Sequence, residues 1–145
     1  MYTFQKCDPG LLPDNRWNLL NINDMGQPGY TVDEDCLTIG RVITRFGEPD
    51  YTTEDMEDLY SCAVSATDED GNKVYLEIYH GPSGNAIGGN NAGKKAAEEL
   101  CEWIQEAEPS DYRMECVYED VGASVVYSVK DGVSAYETQM PEDFM

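Results

Sequence analysis

Positive charge is what this chain has least of. Nine lysines and arginines stand against 29 aspartates and glutamates in 145 residues, for a formal net charge of −20. Recognition of nucleic acid through its phosphates needs a basic footprint, so direct nucleic-acid binding is excluded as a working mode. An anionic membrane surface would repel the chain for the same reason. Histidine is nearly absent as well. His80 stands alone, so no imidazole cluster exists to hold a transition metal, and neither a metal nor another cofactor is expected. Cys7, Cys36, Cys62, Cys101 and Cys116 include no C-x-x-C pair, which removes the zinc-ribbon and redox-motif readings. No apolar run approaches the roughly 18 residues of a membrane span. The stretch from Met1 to Pro9 lacks the apolar core of a secretory signal. The expectation is a cytoplasmic protein with reduced thiols, most of them buried as small hydrophobes.

Enough apolar material is present to close a core: 41% of the residues are hydrophobic and 10% aromatic, which argues against disorder throughout. The length suits a single acidic domain over residues 1–145. Within it, Pro9-Gly10 and Pro13-Asp14 mark residues 1–16 as an irregular segment, and residues 139–145 read as a loose tail.

Trp17 to Ile22 reads as a short strand. The first helix begins at a capping-box pattern, Thr31 with Glu34, and carries Val32, Cys36, Ile39, Ile43 and Phe46 on one face. Arg41 and Arg45 sit toward its end, where cations suit the helix dipole, and Gly47 and Pro49 stop it. Tyr60, Cys62, Val64 and Ala66 alternate, as do Val74, Leu76 and Ile78, with Asp68 to Asn72 as the turn of a hairpin. Residues 81–93 hold five glycines and read as a long connection. A second helix is expected from Ala92 to Ala107, burying Ala96, Ala97, Leu100, Cys101, Ile104 and Ala107. A meander follows: Tyr112 to Tyr118, Val125 to Val129, and a last strand to about Thr138 after the tight turn Asp131-Gly132. The expected fold is α+β, an antiparallel sheet of about five to six strands with two helices on one face, in the order β-α-β-β-α-β-β-β.

Three short motifs invite chemistry and are answered by simpler accounts. Gly88-x-x-x-x-Gly93-Lys94 matches most of a phosphate loop, but Lys95 occupies the hydroxyl position that would ligate magnesium. What survives is a weaker anion site at the start of the second helix, from Gly93, Lys94 and Lys95 with His80. There the two lysines run against the dipole, which favours acids first; i,i+4 contacts to Glu98 and Glu99 are the plainer account. Asp68, Asp70, Gly71 and Glu77 fall on part of an EF-hand loop, yet Ala66 stands at the first ligand position and the flanks alternate as strands. His80 beside Ser83 lacks the elbow of a hydrolase and reads as a strand-end histidine.

The charge itself is the strongest signal. Residues 48–70 hold nine acids and no base, and residues 98–120 hold nine acids against Arg113 alone. Solubility of a small domain needs a net charge of only about 2–8 in magnitude, and crowded like charge works against the fold. Clustered carboxylates steer a cationic partner and fix its orientation. The sequence therefore points to a non-catalytic acidic binding protein that docks onto, and inhibits, a basic nucleic-acid-handling protein. Small bacterial or phage nuclease inhibitors and immunity proteins offer a class-level analogy, with acids standing in for nucleic acid. Candidate contact residues are Glu54, Asp55, Glu57 and Asp58; Tyr75, Glu77 and Tyr79, expected to face water; and Glu98, Glu99, Glu102 and Glu106. The alternatives are a small-ligand or anion site at loop 81–93 with His80 and Lys94, and a general cytosolic interaction domain. The sequence does not fix an oligomeric state.

Overall fold

The computed structural model describes residues 1–22, 32–47, 60–81, 84–118 and 123–139. In chain order the elements are β1 (Thr3–Lys6), β2 (Trp17–Asn21), α1 (Val32–Phe46), β3 (Tyr60–Thr67), β4 (Lys73–Gly81), β5 (Gly84–Gly89), α2 (Lys94–Gln105), β6 (Tyr112–Tyr118), β7 (Ala123–Lys130) and β8 (Val133–Gln139). The class is α+β, and the strands form two antiparallel sheets, one ordered β1-β3-β4-β5-β2 and the other β6-β7-β8. No helix among the described residues is long and apolar enough to cross a membrane.

The apolar periodicities explain the layers. Cys62, Val64, Ala66, Leu76, Ile78 and Ile87 project from one face of the larger sheet into a cluster with Ile39 and Val42 of α1 and with Ala96, Ala97, Leu100, Cys101 and Ile104 of α2. Helix α2 lies on β2 and β5, whereas α1 meets β5 and α2 and also β7 and β8 of the smaller sheet. The Tyr112 hydroxyl donates to the Cys36 carbonyl at 2.8 Å, tying the smaller sheet to α1.

The hairpin turn forms where expected. The Asp68 carboxylate accepts from the amides of Asp70 and Asn72, both at 2.9 Å, and Gly71 takes φ +87°, a conformation that suits glycine. These hydrogen bonds, led by the one from Asn72, hold the Asp68 carboxyl below its ordinary value. The Asp131-Gly132 turn also forms, with φ of 51° and 78°, the doubly positive geometry that matches strand twist.

Two segments differ from the sequence reading. Residues 1–16, expected to be irregular, supply edge strand β1 and a 3-10 turn at Pro9–Leu11. The glycine-rich stretch, expected to be a loop, is largely strand β5, paired to β4 on one side and β2 on the other. Its glycines answer packing. A Cβ on Gly88 would come within 3.1 Å of Tyr79 Cε1, and one on Gly89 within 3.0 Å of Leu76 Cδ2.

The strand order also forces a crossing. β1 and β2 lie at opposite edges of the five-stranded sheet, about 19 Å apart at ordinary strand spacing. Residues 7–16 join them, a length that reaches about 33 Å when extended. This strap passes over the sheet face away from the helices. Leu12 is buried in it, and Arg16 Nε lies 3.6 Å from Glu77 Oε1. Ser61, Ala63, Ser65 and Ala86 on that face are all buried, their small side chains leaving room for it.

Candidate docking site

Helix α2 is set by its apolar stripe: with Leu100, Cys101 and Ile104 turned into the core, the acids point outward. Glu99, Glu102 and Glu106 recur at spacings of three and four and share one face. They overhang the start of β1, where Tyr2, just before the strand, and Phe4 within it line the same groove. The Tyr2 backbone amide, on the unpaired edge of the sheet, donates to Glu99 Oε1 at 3.1 Å. Between strand and helix runs a groove of about 420 Å³ lined by Tyr2, Thr3, Phe4, Glu99, Glu102, Trp103, Glu106 and Met1.

The groove has an aromatic wall. Tyr2 stacks near Phe4 (centroids 6.4 Å apart), Phe4 stacks on Trp103 (5.6 Å), and Phe46 meets Trp103 edge-on (5.5 Å). Arg45 from α1 completes the set, its guanidinium carbon 4.5 Å from the Trp103 ring centroid while Nε donates to the Trp103 carbonyl at 3.0 Å. Arg41 Nε donates to the Ala107 carbonyl at 3.1 Å. The two arginines, placed by sequence at the end of their own helix, thus serve the carbonyl-rich end of α2, where cations are favoured.

Of the expected contact residues, Glu99, Glu102 and Glu106 are brought together in this groove. Glu98 is exposed on α2, one turn before Glu102, and does not line the groove. Glu54, Asp55, Glu57 and Asp58 lie outside the described residues. The expectation that Tyr75, Glu77 and Tyr79 face water does not hold: all three are partly buried. The Glu77 side chain is only 15% exposed and pairs with Arg16. Over Glu77 and Tyr79 the cause is the strap, whose Asp14 and Arg16, with Trp17 at the start of β2, enclose a smaller cleft of about 240 Å³ with Glu77, Tyr79 and Gly88.

The residues of the weaker anion site are not assembled. His80 pairs with Asn85 at one end of β5, its side chain outside the described set. Lys94 and Lys95 are exposed at the start of α2, beyond the other end of β5, and Asn85 to Gly89 alone spans about 13 Å. Gly93 is buried, and a Cβ there would come within 2.8 Å of Leu76 Cδ2; it serves close packing of strand on helix turn. Asn90 caps that turn, accepting from the Ala92 amide at 3.2 Å. Cys101 is no nucleophile: burial, with Glu102 adding to it, pushes its thiol up to about 12, so it stays protonated at neutral pH.

Sequence reasoning missed Tyr2, Phe4 and Trp103. The alternation Tyr2-x-Phe4 is a strand signal, but a short one, with the turn signal Pro9-Gly10 five residues on. Comparison with protein-family models, curated proteins and solved structures gave no match to the chain.

Proposed function

We propose that this protein is a non-catalytic, cytoplasmic docking protein that binds and inhibits a basic, nucleic-acid-handling protein. The observation that carries the reading is the groove itself: three acidic residues on one face of α2 line it together with an aromatic wall. A charged rim beside aromatic surface is the composition of a protein-binding patch, with rings for contact area and charge for orientation. The wider excess of negative charge, including Glu54, Asp55, Glu57, Asp58 and Glu98, supports fast encounter with a cationic partner. A basic surface made to hold phosphates is the surface such a field attracts, and occupying it would shut out nucleic acid.

The test is capture of a partner from native-cell extract at low and high salt, followed by reconstitution from purified components. The expected result is a basic protein whose nucleic-acid binding or cleavage is lost at saturation, with association slowing as salt rises. A purified, saturated partner that keeps its full nucleic-acid activity sinks the proposal.

A further inference from the structure

Resting on the docking reading above, we infer that the groove between β1 and α2 is a socket for a single guanidinium side chain, so that the partner is recognised through an arginine and not through basic charge in general. The rim carries Glu99, Glu102 and Glu106, and no lysine or arginine is among the residues lining the groove. Successive rim positions are about 4.5 and 6 Å apart along the helix axis, close enough for their flexible side chains to meet one planar, five-donor head from two sides. The wall is a run of rings, Tyr2, Phe4 and Trp103, whose faces attract cations.

The same cluster already accepts a guanidinium from inside the molecule. Arg45 sits over Trp103 and donates to its carbonyl. Trp103 therefore has its ring partners in Phe4, Phe46 and Arg45, and Tyr2 is left as the ring at the groove end of the run. A guest meeting Tyr2 under the rim carboxylates would repeat the Arg45 arrangement from the outside. Arginine suits this better than lysine. Its head is flat, stacks on rings and is weakly hydrated, whereas an ammonium is a compact, strongly hydrated point charge.

The experiment titrates the isotopically labelled full chain with capped Gly-Arg-Gly, Gly-Lys-Gly and the neutral isostere Gly-citrulline-Gly, following amide and indole NMR shifts. The arginine peptide is expected to shift Tyr2, Phe4 and the Trp103 indole. The lysine peptide should bind severalfold more weakly and the citrulline peptide about tenfold more weakly, in line with the strength of charge-assisted pairs. Glu102→Gln and Glu106→Gln, both at exposed positions, should each weaken arginine binding about two- to threefold, the effect of an exposed ion pair. Tyr2→Leu should weaken it about two- to fivefold. Equal binding of arginine and citrulline peptides overturns the socket, as do shifts spread over the other acidic stretches with arginine and lysine equivalent. The two proposals fail separately. An arginine peptide seated in the groove with no partner inhibited leaves the socket and removes the inhibitor reading. Unchanged affinity of the Glu102→Gln, Glu106→Gln double variant for a partner that it still inhibits does the reverse.

Discussion

Helices α1 and α2 share one plan in the sequence, an apolar stripe at spacings of three and four with charge on the rest. Their surroundings differ. α1 is held between layers: Ile39 and Val42 enter the main core while Cys36 turns to the smaller sheet, its thiol 3.6 Å from the Ala135 carbonyl. Even its polar face is engaged, through Arg41, Arg45 and the Thr44 hydroxyl, which donates to the Glu108 carbonyl at 2.6 Å. α2 buries its stripe equally well and leaves a band of carboxylates facing outward. Among its described residues α1 is engaged on its polar side as well as its apolar one; α2 has a side to spare, and that side is where the groove lies. The difference teaches that an amphipathic pattern fixes which face is buried and is silent on what the remaining face does.

The sharpest way to break this comparison is at Gly40. In an ordinary helix Gly→Ala stabilises by up to about 1 kcal/mol. Here a Cβ would lie 2.9 Å from both Pro109 Cβ and the Ser110 carbonyl oxygen, where the Ser110 amide donates to the Gly40 carbonyl at 3.0 Å. Gly40→Ala should reverse sign and destabilise by about 1–3 kcal/mol, the usual cost of overpacking, read by chemical denaturation. A stabilised variant would show that α1 is not confined as described.

Next in size is Arg45→Ala, which removes the ring contact and the bond to the Trp103 carbonyl. A loss of about 1–2 kcal/mol is expected, with Arg45→Lys recovering only part of it because the stacked, planar head is gone. Full recovery by lysine would mean that charge at the end of α2, and not the ring contact, is what matters.

Outside the helices, Asp68 supplies a pH-dependent element. Its pKa is lowered in the folded state from the ordinary 3.8, so the stability it contributes is present above that value and is lost as pH falls through the folded value. Denaturation midpoints measured from neutral to strongly acid pH should fall less steeply below 3.8 in Asp68→Asn than in the parent. Identical profiles would remove the turn from the account. The smallest effect should come from Glu102→Gln with Glu106→Gln: a stability change within about 0.5 kcal/mol, because neither acid is engaged in the fold. A large loss of stability would make α2's outer face structural and erase the contrast with α1.

The parts legible in sequence were those governed by local period. The stripe Ala96, Ala97, Leu100, Cys101, Ile104 was read directly, as were the hairpin around Asp68 and the turn at Asp131-Gly132, since each depends on neighbours within a few positions. β5 was hidden because Gly88 and Gly89 read as loop formers. Their reason for being glycine, the nearness of Tyr79 and Leu76, exists only after the sheet is assembled. The exposure of Glu77 and Tyr79 was misjudged for a similar reason, since no local pattern says that residues 7–16 cross over them. The carboxylates of the groove were nameable from their spacing on α2. The groove was not, because Tyr2 and Glu99 meet across 97 residues of chain.

The strap has a consequence for biosynthesis. Both strands it joins pair with partners made much later, β1 with β3 and β2 with β5. During translation β1 therefore waits unpaired until Thr67 has emerged and β2 until Gly89 has, with Tyr2, Phe4, Leu19 and Leu20 uncovered. Deleting both strands would leave β3 and β5 as bare borders of the sheet, open to pairing with other chains. The deleted form should then appear as insoluble aggregate, not as a trimmed monomer.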